Sequence, residues 1–121
     1  MDYTTQIAAA KEAFGKLLTE QLARVEEMKK QGDFVDYKAL DQITIGVCGG
    51  DGIGPIISEA SVKVMETLLA DEIASGRVEI RMIEGLTVEN RMAQGKAIPD
   101  DVLAELKACD VILKGPTTTP H

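Results

Sequence analysis

Tryptophan is absent from the 121 residues, and aromatic side chains of any kind make up 3% of them: two Phe and two Tyr. Cations are also in deficit, with 13 Lys and Arg against 20 Asp and Glu, a formal charge of −7 and a pI near 4.7. Binding a nucleic acid needs a basic stripe or aromatic stacking platforms, and this chain has neither. No apolar run approaches the roughly 20 residues of a membrane span. The start, Met1-Asp2-Tyr3, lacks the basic flank of a signal peptide, so a cytoplasmic chain acting away from membranes is the expectation. Cysteine is equally scarce. Cys48 and Cys109 lie inside separate apolar runs with no C-x-x-C spacing, which suits small buried residues in a reducing compartment rather than a disulfide framework.

What is present is ordinary globular material, 45% apolar and 27% charged, enough for one packed domain at most. It changes character near residue 40. Between Thr4 and Gln31 there is no proline and one glycine, and Ile7, Ala10, Phe14, Leu17, Leu18, Leu22, Val25 and Met28 recur at helical steps. Lys29 and Lys30 suit the negative end of a helix, and Gly32 supplies a left-handed stop. Such a helix is about 40 Å long. Its stripe drifts too far for a heptad seam, and it is expected to pack on its own subunit or to dock a second one. Residues 32–42 read as a linker with Phe34 and Tyr37 as aromatic anchors. The expected organisation is a helical extension and linker over 1–41, then a partial α/β domain over 42–121.

From Ile43 the pattern alternates. Ile43 to Cys48 is β-branched and glycine-bounded, as a buried strand is. Pro55 opens a helix whose apolar face is predicted as Ile57, Ala60, Val64 and Leu68, running to about Ala74. Arg77 to Glu84 alternates as a more exposed strand. Thr87 caps a short helix ended by Gly95, and Pro99 opens another that buries Val102, Leu103 and Leu106. Val111 to Leu113 is a third strand. Strands alternating with helices predict an α/β fold of parallel β-strands with crossover helices, preceded by the long helix. Three strands leave a sheet edge open, and more chain is expected after His121.

Two loops can carry chemistry. Gly49-Gly50-Asp51-Gly52-Ile53-Gly54 leaves a strand and enters a helix, where free N–H groups and close backbone approach are available. Its spacing is G-G-x-G-x-G rather than G-x-G-x-x-G, Pro55 removes a donor, and no G-K-[ST] follows, so neither a Rossmann fingerprint nor a P-loop is present. Glu84 ends the next strand where a ribose-binding acid would stand, but too far along the chain. The second loop, Lys114 to Pro120, offers a cation and three threonine hydroxyls in a proline-stiffened turn, a cradle for an anion beside a neutral amide. Each loop follows a strand, so both should open at one end of the sheet.

Gly50-Asp51-Gly52-Ile53-Gly54-Pro55 followed by Leu113-Lys114-Gly115-Pro116-Thr117-Thr118-Thr119-Pro120 resembles the N-terminal part of the isocitrate and isopropylmalate dehydrogenase family, over about residues 42–120. The second motif is closer to the isocitrate branch. The resemblance implies an NAD(P)-dependent enzyme that oxidises a small 2-hydroxy acid and releases carbon dioxide, converting isocitrate to 2-oxoglutarate, with isopropylmalate the alternative substrate. It implies that Ile53 lies against the adenine of NAD or NADP, that Thr118 and Thr119 lie near the nicotinamide, and that Lys114 and Thr118 contact substrate; Thr117 falls on a variable position. Mg²⁺ or Mn²⁺ would act as Lewis acid, its ligands outside this segment. No catalytic residue and no metal ligand is assigned here; loop, cap and surface roles explain Asp51, Asp71, Asp100, Asp101 and Asp110. The expected state is an N-terminal segment inactive alone, joined to the remainder of the dehydrogenase or a partner subunit and forming a homo-oligomer when complete. A non-catalytic assembly or regulatory subunit of a split dehydrogenase is the competing reading.

Overall fold

The computed structural model describes residues 3–32 and 35–119, so Phe34, Pro120 and His121 lie outside the described residues. The chain divides into two compact units, residues 1–36 and 37–121. The first is the helix α1, Thr4–Lys30, with Lys29 and Lys30 in its last turn and Gly32 in the left-handed region at φ 74°. The residues of the apolar stripe from Ile7 to Met28 are exposed, the large ones by 44–64%. No helix among the described residues is long and apolar enough to cross a membrane.

The second unit carries β1 (Ile43–Cys48), α2 (Gly54–Leu68), α3 (Ala70–Ala74), β2 (Val78–Met82), α4 (Val88–Gln94), α5 (Asp100–Lys107) and β3 (Val111–Lys114). The strands form a parallel sheet in the order β2-β1-β3, with Ile45 level with Ile80 on one side and Val111 on the other. The α/β architecture expected from the alternation is therefore the one observed. β1 is the central and most buried strand, as its glycine-bounded β-branched run requires, while β2 and β3 are more exposed edges. Linker and sheet are stitched together: Arg77 Nη2 donates to the Tyr37 carbonyl at 2.9 Å, and the Tyr37 hydroxyl donates to the Asp110 carbonyl at 3.4 Å.

The chain moves one way from β1 to β2 and back across β1 to β3. Right-handed crossovers then put the helices that follow β1 and those that follow β2 on opposite faces. On the α5 face Cys48, Ile83, Leu86, Val102 and Leu106 form the core, with Cys109 packed against them. Gly46 shares that face, because a β-carbon there would stand 2.7 Å from Cys109 Sγ. Both thiols are free; burial pushes the Cys48 thiol up, against the pull of Lys114.

Two expectations about α2 fail. Ile57, Ala60, Val64 and Leu68 are not the packed face of α2 but its exposed one, with Leu68 75% exposed. The buried positions are Gly54 and Ser58, with Ser61, Val62 and Met65 half-buried. The helix is apolar on more than one side, and its first turn sits so close to the loops after β1 and β3 that only small residues fit: a β-carbon on Gly54 would stand 2.0 Å from the Gly49 carbonyl oxygen. The predicted single helix to Ala74 is also interrupted, at Leu69 (φ −109°, ψ 21°). The caps are as read: Thr87 accepts from the Asn90 amide at 3.3 Å, and Gly95 stops α4 at φ 62°.

Candidate functional site

In an open parallel sheet, ligands bind outside the carboxyl ends of the strands where the order reverses. Here that point is β1 beside β3, and the two loops singled out from sequence leave those two strands. They are packed backbone to backbone. Gly115 N donates to Cys48 O at 2.7 Å and Asp51 N to Pro116 O at 2.8 Å. Gly50 is held at φ 72°, with the position of a β-carbon only 2.1 Å from Pro116 O, and a β-carbon on Gly115 would lie 2.0 Å from Gly49 O. Glycine is required at Gly50 by both space and torsion, and at Gly115 by space alone.

Asp51 joins the loops through its side chain. Oδ2 accepts from the Thr118 amide at 2.8 Å and Oδ1 from the Val88 amide at 2.7 Å, at the start of α4. Arg91, on α4, places Nη1 3.8 Å from Asp51 Oδ2, donates from Nη1 to Thr118 O at 2.8 Å and from Nε to Ala97 O at 2.8 Å. The amides of Thr118 and Val88, more than the nearby Arg91 and Lys114 charges, hold the Asp51 carboxyl below its ordinary value, against partial desolvation. Because the folded value is the lower one, the carboxylate contributes stability that is fully present above the unfolded value of about 3.9 and is lost as pH falls through the folded one. A carbon-detected NMR titration should show Asp51 Cγ with a midpoint below that value; a midpoint at or above it would contradict the bonding described here.

The other residues picked out from sequence lie around this join. Ile53 is 63% exposed at the entry to α2, and next to it the Gly52 position has open space where a β-carbon would be. Thr118 and Thr119 are exposed. Lys114 Nζ turns onto its own loop, donating to Gly115 O at 3.0 Å and Thr117 Oγ1 at 3.2 Å, so neutral acceptors hold the ammonium and Thr117 has a positioning contact. On the β2 side of the glycine loop a cavity of about 410 Å³ is lined by Gly49, Gly50, Ser58, Glu84 and Thr87 among others. Among the described residues no group of three His, Cys, Asp or Glu stands close enough together to hold a metal ion. The aspartates take local roles: Asp110 Oδ2 accepts from the Thr44 amide at 2.8 Å, Asp100 pairs with Lys96, and Asp71 and Asp101 sit in first turns. Arg91 is the residue that sequence reading missed. Nothing in its spacing marks it, since its partners in the two loops, Asp51 and Thr118, lie 40 residues before it and 27 after it in the chain.

The class the fold defines is an α/β domain with a parallel sheet, whose central and edge strands deliver a glycine loop and a hydroxyl-rich turn to one point. The family model described as "Isocitrate/isopropylmalate dehydrogenase" matches residues 44–121, and the chain belongs to that family. It is 36% identical over 81 residues to the isocitrate dehydrogenase [NADP] of Caldococcus noboribetus, covering 66% of this chain and 19% of that protein. It is 35% identical over 78 residues to the 3-isopropylmalate dehydrogenase of Mycobacterium sp. (strain KMS), covering 64% and 21%. The 3-isopropylmalate dehydrogenase of Prochlorococcus marinus (strain MIT 9312) is 35% identical over 69 residues, covering 57% and 18%. The chain thus spans about a fifth of the length of the relatives it matches. No solved structure matches it significantly.

Proposed function

We propose that this chain forms one wall of the dinucleotide and substrate site of an NAD(P)-dependent dehydrogenase acting on isocitrate, a 2-hydroxy acid, and that the residues completing the chemistry belong to the remainder of the enzyme or to a partner subunit. The observation that carries this reading is the join of the two loops at the β1/β3 switch point by Asp51, with Thr118 on one side and Ile53 two residues along on the other. The exposed surface there fits a dinucleotide in kind. Ile53 and the open backbone at Gly52 offer an apolar shelf for a flat ring, and the Thr118 and Thr119 hydroxyls offer donors and acceptors to a carboxamide.

The dinucleotide, when bound, accepts the hydride of the substrate's hydroxyl-bearing carbon. This chain binds and orients. Lys114, held by neutral oxygens, offers its ammonium to a substrate carboxylate, and Thr118 and Thr119 fix the facing groups of the two ligands. Isocitrate is preferred to 3-isopropylmalate on the Lys114-Gly115-Pro116 turn; relatives of both kinds match equally well. A divalent cation, Mg²⁺ or Mn²⁺, fits the reaction as Lewis acid, with ligands from elsewhere. The free thiols of Cys48 and Cys109 suit a cytoplasmic setting. The test is titration of the ¹⁵N-labelled chain with NADP⁺ and NAD⁺. Shifts should concentrate at the amides of Ile53, Thr118 and Thr119, and addition of isocitrate with Mg²⁺ should not produce reduced dinucleotide. Saturation of either dinucleotide without a response at these amides would refute the reading, as would robust turnover by this chain alone.

A further inference from the structure

Thr118 is held in an unusual way for an exposed turn residue. Its amide donates to Asp51 Oδ2 at 2.8 Å, and its carbonyl accepts from Arg91 Nη1 at 2.8 Å. The N–H belongs to the peptide plane before Thr118 and the C=O to the plane after it, so the two bonds together fix both of its backbone torsions. The two holders are themselves fixed. Asp51 is anchored by its own amide to Pro116 O and by Oδ1 to the Val88 amide, and Arg91 by Nε to Ala97 O. Both side chains are largely buried, 8% and 12% exposed, while Thr118 and Thr119 of the turn they hold are exposed.

We propose that Asp51 and Arg91 are a latch that presets the Thr118 peptide, making them positioning residues for the ligand-facing turn rather than ligands themselves. A loop ordered before binding does not lose its conformational freedom on binding, which is how a group that touches no ligand raises affinity. The chemistry of the latch is specific to a carboxylate. Its two oxygens serve two amides, whereas an asparagine has one acceptor and would turn an NH₂ toward the second N–H. The arginine is equally specific: its fork donates to two carbonyls from Nε and Nη1, which a lysine point charge on a flexible stem does not reproduce. The functional half of the proposal, that the preset turn governs ligand affinity, rests on the dinucleotide reading above.

The experiment is amide hydrogen exchange by NMR on the full 121-residue chain, comparing wild type with Asp51→Asn and Arg91→Lys, with dinucleotide titration in parallel. Both substitutions should lower protection of the amides at Thr118 and Val88 by about tenfold or more while leaving Ile83 and Gly115, whose amides bond β1, at wild-type protection. The dinucleotide-induced shifts at Thr118 and Thr119 should then need higher concentrations to saturate. Unchanged protection at Thr118 in both variants would overturn the latch. So would a uniform loss that includes Ile83 and Gly115, because that marks a general structural role. A wild-type chain that shows no dinucleotide response counts against the functional reading and the affinity half of the proposal, and the exchange comparison still decides whether the latch exists.

Discussion

Gly50→Ala should lower the melting temperature by at least roughly 10 °C, the largest loss expected from removing or adding a single methyl group in this domain. Two costs coincide at this position. Gly50 sits at φ 72°, where a side chain costs roughly 1–2 kcal/mol. The added carbon would also stand 2.1 Å from the carbonyl oxygen of Pro116, and insertion into a packed site costs about 1–3 kcal/mol. Escape by movement is blocked, because the same Pro116 oxygen accepts the Asp51 amide at 2.8 Å, and pushing it away breaks the join between the loops. Gly50→Asn separates the terms, since asparagine tolerates the left-handed region but carries the same β-carbon. Circular-dichroism melting of the two variants should find the asparagine only slightly better than the alanine. Near-complete recovery with asparagine would show that torsion, and not the close approach of the two loops, governs the site.

Much of the fold was legible because punctuation in this sequence is local. Gly32, Pro55, Gly95 and Pro99 each mark a boundary by a property of one residue, and Thr87 and Asn90 form a cap within one turn. The burial of α2 was not legible, because periodicity ranks faces by hydrophobicity while packing here ranked them by size. Ile57, Val64 and Leu68 outweigh Gly54 and Ser58 on any apolar scale. Yet the loops after β1 and β3 press so close to the start of the helix that the small side wins. The site divides in the same manner. Both loops could be read from composition and order, and their convergence follows from parallel strands. Arg91 could not, since on a short polar helix it reads as a solvated charge. Only the crossover from β2 to β3 brings it to Thr118.

Gly115→Ala should be the second severe substitution, for a reason independent of torsion. Its φ lies outside the left-handed region, so the whole cost is steric. A β-carbon would stand 2.0 Å from Gly49 O and 2.9 Å from Gly49 C, both backbone atoms, and 3.2 Å from Ser58 Oγ. Gly115 cannot withdraw without lengthening the 2.7 Å bond from its amide to Cys48 O, which continues the β1–β3 pairing. Where the obstacle is a side-chain end the neighbour can swing aside, as at Gly46, whose nearest atoms would be Cys109 Sγ at 2.7 Å and Ile83 Cδ1 at 2.9 Å. At Gly115 no side chain can yield enough, so the loss should reach the upper part of the roughly 1–3 kcal/mol range for overpacking. A double-mutant cycle with Ser58→Ala checks this by thermal melting. Removing the hydroxyl should return little of the loss, with a coupling below about 0.5 kcal/mol. A large rescue would mean that the hydroxyl, rather than the Gly49 carbonyl, limits how closely the loop after β3 approaches the loop after β1. In that case the glycine at 115 would serve helix packing and not the backbone contact that brings Lys114 and the threonine turn to the site.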